Sequence, residues 1–260
     1  MKQKTIQQLN QLNRHFYQNI AADFAASRNY SWQGWEKLIK FLPQKKLEVL
    51  DIACGNARWA DFLSEKEVTC AYLGLDNSAE LLNFAKKDLK LINFDLIANY
   101  LENETINWPV KNKFDLVVAF GLSHHLPSQK LRQDFIRSLA ALVKPDGLIV
   151  LSNWQFAREE RFKKNILNIE KIKKNKKINI FQRFKLKKLL KNLEKDDYLL
   201  DWRRWQKNKA RPAVYRYCHF LSEKEMKELI KNSSLKLLDS FFADGKSRSL
   251  NQYFLLKKKG

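Results

Sequence analysis

The residues best suited to bind a ligand follow the first apolar run of the chain, 47–53 (LEVLDIA). The turn after this run consists mainly of small residues, and an acid precedes it. Small side chains let a ligand approach the backbone closely, as in the strand-to-helix turns of nucleotide-binding sheets. We therefore expect this turn to contact a ligand through Asp51, Ala53, Gly55, Asn56, Ala57 and Arg58.

A second acid, Asp76, ends the next apolar run, 69–76, and lies 21 residues after Gly55. A carboxylate at this place can accept hydrogen bonds from two ribose hydroxyls, as in dinucleotide-binding folds. Asn77 follows it and is a further candidate for ligand contact. The alternative role for Asp76 is to cap the helix that starts at Ser78. A dehydrogenase is disfavoured because the turn lacks the GxGxxG spacing of that class.

Strands and helices alternate in the part of the chain that carries these residues. Apolar runs of strand length are separated by amphipathic segments, which favours a parallel sheet with helices on both faces. A helix over 221–233 precedes two further strands, which a turn at Asp244–Gly245 joins into a hairpin. We predict an α/β fold, a Rossmann-like three-layer sandwich with a mainly parallel seven-stranded sheet and a terminal antiparallel hairpin. The predicted strands are 47–53, 69–76, 92–98, 114–122, 148–154, 235–243 and 249–258.

The segments outside this alternating region have different compositions. Helices over 4–28 and 31–42, the second closed by Pro43, precede the first strand. A KPDG turn at 144–147 is expected to separate a helix over 128–143 from the strand that follows. The predicted organisation is an N-terminal helical lid (1–43), a ligand-binding core (44–157), a basic insertion (158–211) and a C-terminal helix and hairpin that complete the sheet (212–260).

The chain is strongly basic, with 49 Lys and Arg residues against 28 Asp and Glu residues and a net charge of +21. Residues 158–211 hold +13 of this charge. A charge of this size attracts polyanions, of which RNA is the first candidate and DNA or an anionic membrane the second. The alternative is a Lys-rich surface that reflects genome composition. We favour a binding surface because the charge is concentrated in one segment.

Composition also limits the cellular setting. No apolar stretch approaches the roughly 18 residues that a membrane-spanning helix needs, and the first residues lack the apolar core of a signal peptide. The three cysteines, Cys54, Cys70 and Cys218, are widely spaced and form no CxxC pair. We therefore expect a cytoplasmic monomer with reduced thiols and no metal site.

Four motifs in order, VLDIACGNARWADFL, YLGLD, FDLVVAFGLSHHL and LVKPDGLIVLSN, resemble the class I S-adenosylmethionine-dependent methyltransferases. The resemblance covers 47–154 and the terminal hairpin, and it implies S-adenosyl-L-methionine as the cofactor. Ala53 and Ala57 stand where that family usually has glycine. The resemblance also implies cofactor contacts after the third and fourth strands, at Asn99, Tyr100, Phe120 and Gly121. Two histidines, His124 and His125, follow the fourth strand, and the simplest expectation is that one packs and one faces the cleft.

Both ends of the chain are similar to the tRNA wobble-uridine carboxymethyl methyltransferases. The matching residues are Tyr17, Ile20, Ala21, Phe24 and Arg28 near the start, and Arg216, Tyr217, His219 and Phe220 near the end. This resemblance implies tRNA as a partner and places Tyr17 among the cofactor contacts. The eukaryotic relatives work with a small zinc-binding protein, so a small activator protein is a second expected partner.

A carboxymethyl acceptor would make the methyl transfer chemically simple. Its carboxyl group is already ionised at neutral pH, because such groups have pKa values near 4, and no general base is required. The site must instead orient the carboxylate and exclude water. We expect Arg216, with His219 and Arg28, to hold the carboxylate through charge-assisted hydrogen bonds, and His124 is a further catalytic candidate.

Two other functions fit the same residues. One is a small-molecule O- or N-methyltransferase with a Lys-rich surface, which would bind no RNA in a salt-dependent way. The other is a non-catalytic RNA-binding protein built on a methyltransferase fold. The presence of Asp51, Gly55 and Asp76 argues against the non-catalytic alternative.

Overall fold

The computed structural model describes residues 1–27, 30–88, 94–98, 101–102, 105–106, 108–111, 113–176, 178–201 and 214–259. Its strands fall into one large sheet and two small hairpins. They are β1 (Leu47–Ile52), β2 (Cys70–Asp76), β3 (Phe94–Ala98), β4 (Leu101–Glu102), β5 (Thr105–Ile106), β6 (Phe114–Phe120), β7 (Val143–Trp154), β8 (Asp197–Asp201), β9 (Tyr215–His219), β10 (Leu235–Ala243) and β11 (Asn251–Lys258).

The large sheet has seven strands in the order β10-β11-β7-β6-β1-β2-β3. Strands β1, β2, β3, β6 and β7 run parallel. Strand β11 lies antiparallel between β7 and β10. The α/β fold with a mainly parallel sheet and a terminal antiparallel hairpin, which the sequence predicts, is thereby confirmed. The two small hairpins pair β4 with β5 and β8 with β9.

The helices lie on both sides of this sheet and at its carboxyl edge. Among the helices in the described ranges, none is both long and apolar enough to cross a bilayer. They are α1 (Gln3–Ala26), α2 (Gln33–Glu36), α3 (Arg58–Glu65), α4 (Ala79–Asp88), α5 (Gln129–Leu142), α6 (Glu160–Lys163), α7 (Ile169–Lys174), α8 (Ile180–Lys191) and α9 (Glu223–Lys231).

Both faces of the central sheet are covered, because alternate residues of each strand point to opposite sides. On β7, Ile149 and Leu151 belong to the core that α5 and α9 cover. Leu148 and Val150 belong to the core on the other face, under α3 and the segment 32–42. All four side chains are buried, which explains why the apolar runs of the sequence are nearly continuous.

A third packing region joins α1, α8 and the β8–β9 hairpin. Its buried residues include Leu9, Leu186, Leu189, Leu199 and Tyr217. Within the hairpin, Leu200 of β8 lies opposite Arg216 of β9. The end of the predicted basic insertion is therefore paired with the strand that carries Arg216 and His219.

The segment 31–42 is not one helix, contrary to the prediction. Helix α2 has four residues, and a 3₁₀ turn follows over Ile39–Phe41. Gly34 disfavours a longer helix, and its amide instead donates to Asp244 Oδ1 at 2.8 Å. A side chain at Gly34 would collide with the ring of Tyr253 at 2.4 Å, so glycine allows this segment to lie close on the sheet.

The predicted turn at 144–147 is also wrong, because these residues lie within β7. Phe114 pairs with Val143 and Leu116 pairs with Leu148, so β7 accommodates the additional residues as a bulge in the ladder. Lys144 in this bulge contacts Asp115 Oδ2 at 2.9 Å. Bulges accept proline and glycine more readily than regular strands, which explains how a turn-like sequence fits here.

Candidate active site

A cavity of about 470 Å³ lies at the carboxyl ends of β1, β2 and β6, where open α/β sheets bind ligands. One side of α1 forms its remaining wall. Most of the cofactor contacts that the sequence predicts lie on this cavity. They are Tyr17, Ala53, Gly55, Asp76, Asn77, Phe120 and Gly121.

The turn after β1 contains three residues in the left-handed region, Ala53 (φ 62°), Gly55 (φ 59°) and Ala57 (φ 57°). This conformation costs a residue other than glycine about 1–2 kcal/mol. The amide of Gly55 donates to Asp76 Oδ2 at 2.8 Å, which links the turn to the end of β2. The small-residue pattern is thus a requirement of the backbone, and Ala57 is the N-cap residue of α3.

The carboxylate of Asp76 joins this turn to the start of α4. Its Oδ2 accepts from Gly55 and its Oδ1 accepts from the amide of Ser78, each at 2.8 Å. Ser78 itself caps the helix, because its Oγ accepts from the amide of Leu81 at 3.3 Å. Burial raises the pKa of Asp76 to about 6, and its backbone hydrogen bonds limit the rise. The carboxylate retains capacity to accept a further hydrogen bond, which suits a hydroxyl donor in the cavity.

Asp51 lies beneath the turn and is 2% exposed. Its Oδ2 accepts from the hydroxyl of Tyr72 at 2.7 Å. Burial raises the pKa of Asp51 to about 7 against the effect of this hydrogen bond, and the charge of Asp76 raises it further. Two acids buried this close to each other favour a ligand that brings positive charge.

Arg58 contacts the N-terminal segment and does not line the cavity. Its guanidinium lies 5.3 Å from the ring centroid of Trp32 and 5.6 Å from that of Trp35. Its Nη1 donates to the carbonyl of Tyr30 at 3.1 Å, and burial lowers its pKa to about 10. Asn56 also lies outside the cavity lining. The cofactor contacts expected of both residues stay predictions.

Strand β6 ends at the cavity with Phe120 and Gly121. Gly121 has a φ of 72°, and its amide donates to the Oγ of Ser152 at 3.1 Å and to the carbonyl of Ser152 at 3.0 Å. These bonds hold the end of β6 against β7. The ring of Phe120 packs against Trp35 and Trp59, so an aromatic cluster supports this wall from below.

His125 lines the other half of the cavity. Its Nδ1 lies 3.0 Å from the carbonyl of Tyr217, and its Nε2 lies 2.8 Å from the hydroxyl of Tyr17. Because a carbonyl only accepts, Nδ1 carries the proton and Nε2 accepts from Tyr17. Burial, together with the charge of Arg216, lowers the pKa of His125 to about 3. The imidazole is therefore neutral at pH 7, with both nitrogens engaged.

Asn13 links α1 to the same position. Its Oδ1 accepts from the amide of Tyr217 at 2.7 Å, and its Nδ2 donates to the carbonyl of His125 at 3.4 Å. This polar face of α1 was not predicted from the sequence. Its spacing of three and four residues, typical of one helix face, is the signal that could have revealed it. The cavity-lining residues of α1 are Gln7, Asn10, Gln11, Asn13, Arg14 and Tyr17.

His124 is buried behind this wall. Its ring centroid lies 4.2 Å from that of His125 and 5.8 Å from that of Trp154, and burial lowers its pKa well below the usual value. The possible metal-ligand atoms of His124, His125 and Cys218 lie within 4.8 Å of one another, a grouping that the sequence did not predict. The engaged nitrogens of His125 and the nearby charge of Arg216 oppose a cation there.

Arg216 is 4% exposed and does not line the cavity. Its guanidinium lies 4.4 Å from the ring centroid of Trp154 and 5.2 Å from that of Phe16. Its charge lowers the pKa values of both His124 and His125. Arg216 thus lies beside the histidines, and its contact with an acceptor stays a prediction.

His219, the other candidate on β9, belongs to a buried charge network. Its Nδ1 lies 2.8 Å from Asp197 Oδ1, and its Nε2 lies 2.8 Å from Glu225 Oε2. Arg132 Nε donates to Glu225 Oε1 at 3.0 Å, and the hydroxyl of Tyr217 donates to Asp197 Oδ1 at 2.6 Å. Burial alone would lower the pKa of His219, but the hydrogen bonds with Asp197 and Glu225 raise it. Both ring nitrogens donate within the protein, which favours a supporting role over direct contact with an acceptor.

Three further candidates, Arg28, Asn99 and Tyr100, lie outside the described residues. Their roles stay predictions from the sequence.

The described residues of the cavity fit S-adenosyl-L-methionine. A Cβ added at Gly55 would meet only the ring of Phe24, at 3.9 Å, so the turn leaves room for a ligand close to its backbone. Asp76 would hold the ribose hydroxyls, and Asp51 would favour the positively charged methionine end. When bound, the cofactor supplies a methyl group on a sulfonium ion.

The sequence comparisons point to the same chemistry. The profile of a methyltransferase domain family matches residues 24–240. The tRNA (carboxymethyluridine(34)-5-O)-methyltransferase of Arabidopsis thaliana is 25% identical over 145 residues, which cover 55% of this chain and 33% of that protein. The chain thus spans about a third of the length of this curated relative.

Two solved structures share the fold. An S-adenosylmethionine-dependent methyltransferase from Clostridium acetobutylicum has a TM-score of 0.59 at 14% identity and covers 95% of this chain and 97% of that one. The methyltransferase in a Haloferax volcanii complex with the Trm112 activator has a TM-score of 0.63 at 10% identity and covers 95% and 97%. Because the family profile spans most of the chain and the cavity lies where this fold binds its cofactor, the protein belongs to the class I S-adenosylmethionine-dependent methyltransferases.

Proposed function

We propose that the protein transfers a methyl group from S-adenosylmethionine to the carboxylate of a carboxymethyluridine in tRNA. The Arabidopsis relative is named for this reaction. A net charge of +21 suits a polyanionic substrate. Both observations support tRNA over a small molecule as the acceptor.

The observation that carries the proposal is the weakness of the bases among the described residues that line the cavity. The titratable residues there are Arg14, Tyr17, Asp76 and His125. His125 has a pKa of about 3, and Tyr17 donates its hydroxyl proton to it. Asp76 is held by backbone amides at the cofactor end. A hydroxyl acceptor would need a base to remove its proton, whereas a carboxylate is already ionised at neutral pH.

Two arginines are proposed to bring the carboxylate to the cavity. Arg14 lines the cavity with an exposed side chain, and its planar guanidinium can donate two parallel hydrogen bonds to a carboxylate. Arg216 lies beside His124 and His125, and its charge attracts an anion to the same end. Arg14 is thus the contacting residue of the proposal and Arg216 a positioning residue.

The proposal includes an activator protein. A methyltransferase of the same fold from Haloferax volcanii forms a complex with the Trm112 activator. We infer that a small protein of this type assists the chain, and its addition is one arm of the experiment below.

The test is methyl transfer from labelled cofactor, at saturation, to tRNA purified from a strain that lacks the final methylation. Nucleosides are identified by mass spectrometry, with and without a Trm112-type activator. The wild type should form the methyl ester of carboxymethyluridine. Arg14→Ala and Arg216→Ala should lose most of the turnover, and Arg216→Lys should lose less because it keeps the charge. Arg137→Ala is the matched control, since Arg137 on α5 is exposed and its Nε donates to Asn232.

Full turnover in both alanine variants would remove the two arginines from the acceptor site. No methylation of tRNA in either arm would overturn the tRNA substrate. Transfer to a small acceptor under the same conditions would support the small-molecule alternative.

A further inference from the structure

We propose that one exposed face of α8 binds unpaired bases of the RNA substrate. The inference rests on the proposed tRNA substrate and adds a binding surface outside the cavity. On this face, Phe181 is 83% exposed and Phe184 is 71% exposed, and the neighbouring Ile180 is 76% exposed. Aromatic side chains are usually buried in a core or an interface, so two neighbouring phenylalanines with this much solvent exposure indicate a binding surface.

The helix geometry separates this face from the core. Phe181 and Phe184 share one face with Lys185 and Lys188, because the four positions follow the spacing i, i+3, i+4 and i+7. Leu186 and Leu189 lie on a different face and are buried with Leu9 and Tyr217. The exposed aromatic pair is therefore separate from the apolar face that holds α8 to the protein.

The charge of α8 identifies the chemistry of the partner. Its twelve residues include one arginine and four lysines and no acid. A polyanion complements this charge, and single-stranded nucleic acids combine phosphates with bases that stack on aromatic rings. Phenylalanine rings flanked by lysines on one helix face suit such a strand.

An anionic membrane would be the other partner for a basic amphipathic helix. Insertion needs a broad apolar face, and in α8 the leucine face is already buried within the protein. On α8 the exposed apolar side chains are Ile180, Phe181 and Phe184, and the other exposed side chains are lysines and Gln182. These features favour RNA over a lipid surface.

The α8 surface is connected to the cavity through its neighbours. Leu9 of α1 packs with α8, and Gln7 and Asn10, which are also on α1, line the cavity. Tyr217 packs with α8 through its ring, and its carbonyl accepts from His125. RNA that binds α8 is thus held on elements that also form the cavity wall.

The test measures the affinity of the full chain for a fluorescently labelled anticodon stem-loop RNA at several salt concentrations. The double variant Phe181→Ala/Phe184→Ala should bind about tenfold or more weakly, because stacking on two rings is lost. Its dependence on salt should be unchanged, because no charge is removed. Lys185→Gln/Lys188→Gln should flatten the logarithmic salt slope by about one for each lost phosphate contact.

The matched control is Leu238→Ala/Lys236→Gln, which removes an exposed apolar side chain (45% exposed) and an exposed lysine from β10. This control should keep the affinity of the wild type. A fully paired RNA duplex should bind the wild type and the phenylalanine variant equally, because its bases are already stacked with one another. Cofactor affinity, measured in parallel, should be unchanged in every variant.

An unchanged affinity of the phenylalanine variant for the stem-loop would overturn the proposal. A loss of binding to phosphatidylserine vesicles that exceeds the loss of RNA binding would overturn it in favour of a membrane surface. Because the readout is binding, it is independent of methyl transfer. Stem-loop binding that depends on Phe181 and Phe184 in a chain that methylates no tRNA would contradict only the proposed function.

Discussion

The β8–β9 hairpin and the turn after β1 both bury charged groups, but they balance them differently. In the hairpin, His219 lies between Asp197 and Glu225, and Glu225 also contacts Arg132, so positive and negative groups alternate. At the turn, the two acids Asp51 and Asp76 are buried near each other, and their pKa values rise to about 7 and about 6. The charges of the hairpin balance one another. At the turn, the charge of Arg58 offsets only part of the effect of burial on Asp51, and a positively charged ligand would balance the rest.

The largest expected effect comes from breaking the hairpin network. His219→Ala leaves the buried carboxylate of Asp197 and the half-buried carboxylate of Glu225 without their shared partner, and it should lower the free energy of unfolding by about 3–5 kcal/mol. Denaturant unfolding at pH 7 measures this loss. The share of the stabilisation that depends on a charged His219 imidazolium is fully present below the unfolded pKa near 6.5. It is lost as pH rises through the raised pKa of His219 in the folded protein.

His15→Ala is the matched control for this variant. His15 is exposed on α1 and contacts Asn19, one turn along the same helix. Its removal should change the free energy of unfolding by no more than about 0.5 kcal/mol. A loss below about 1 kcal/mol in His219→Ala would show that the hairpin charges do not depend on this histidine.

Neutralising an acid at the turn after β1 should instead raise the free energy of unfolding. Asp51→Asn keeps an acceptor for the Tyr72 hydroxyl and removes a buried charge, so the cofactor-free protein should gain about 1–2 kcal/mol at pH 8. The folded pKa of Asp51, about 7, lies above the usual value of 3.8 for this side chain. The gain should therefore vanish as pH falls from 7 towards 4. Thermal unfolding without cofactor at both ends of this range measures it.

Asp115→Asn provides the contrasting control. Burial alone would raise the pKa of Asp115, but hydrogen bonds from Lys45 and Lys144 lower it to about 2. Neutralising this paired acid should therefore lower the free energy of unfolding at pH 8. Equal effects of the two asparagine variants would contradict the distinction between balanced and unbalanced acids.

The smallest expected effect concerns the backbone of the turn. Ala53→Gly relieves a left-handed alanine but adds freedom to the unfolded chain, so the net gain should be below about 1 kcal/mol. Ala60→Gly, within α3, should instead lose about 1 kcal/mol or more. Urea unfolding of the two variants side by side makes the comparison. A loss in Ala53→Gly as large as that in Ala60→Gly would argue against strain at the turn.

The sequence predicts those elements whose local residue pattern agrees with their surroundings in the fold. Strands β1 and β2 follow from apolar runs buried on both faces, and Asp76 follows from its place at the end of β2. The segment 31–42 has a helical pattern, yet close packing of Gly34 against Tyr253 overrides it. The turn-like residues at 144–147 are absorbed into a bulge because the neighbouring ladder continues.

Long-range contacts explain what the sequence could not supply at the site. The polar face of α1 is visible as a periodicity, but nothing in it indicates that it covers the cavity through Asn13 and Tyr17. The partners of His219 lie 22 residues before it and six after it, and only the fold brings them together. The motif predicts that Arg216 holds the acceptor carboxylate, whereas in the structure its side chain packs between Phe16 and Trp154.

The most direct test is calorimetric titration of S-adenosylmethionine into the wild type and Asp76→Ala. Loss of hydrogen bonds to a charged group should weaken binding in the variant by about 1.5–3 kcal/mol. The affinity of the wild type should also fall as pH is lowered through about 6, where Asp76 becomes protonated, and the affinity of the variant should lack this step. Equal affinities for the two proteins, with the same dependence on pH, would contradict the placement of the cofactor at this turn.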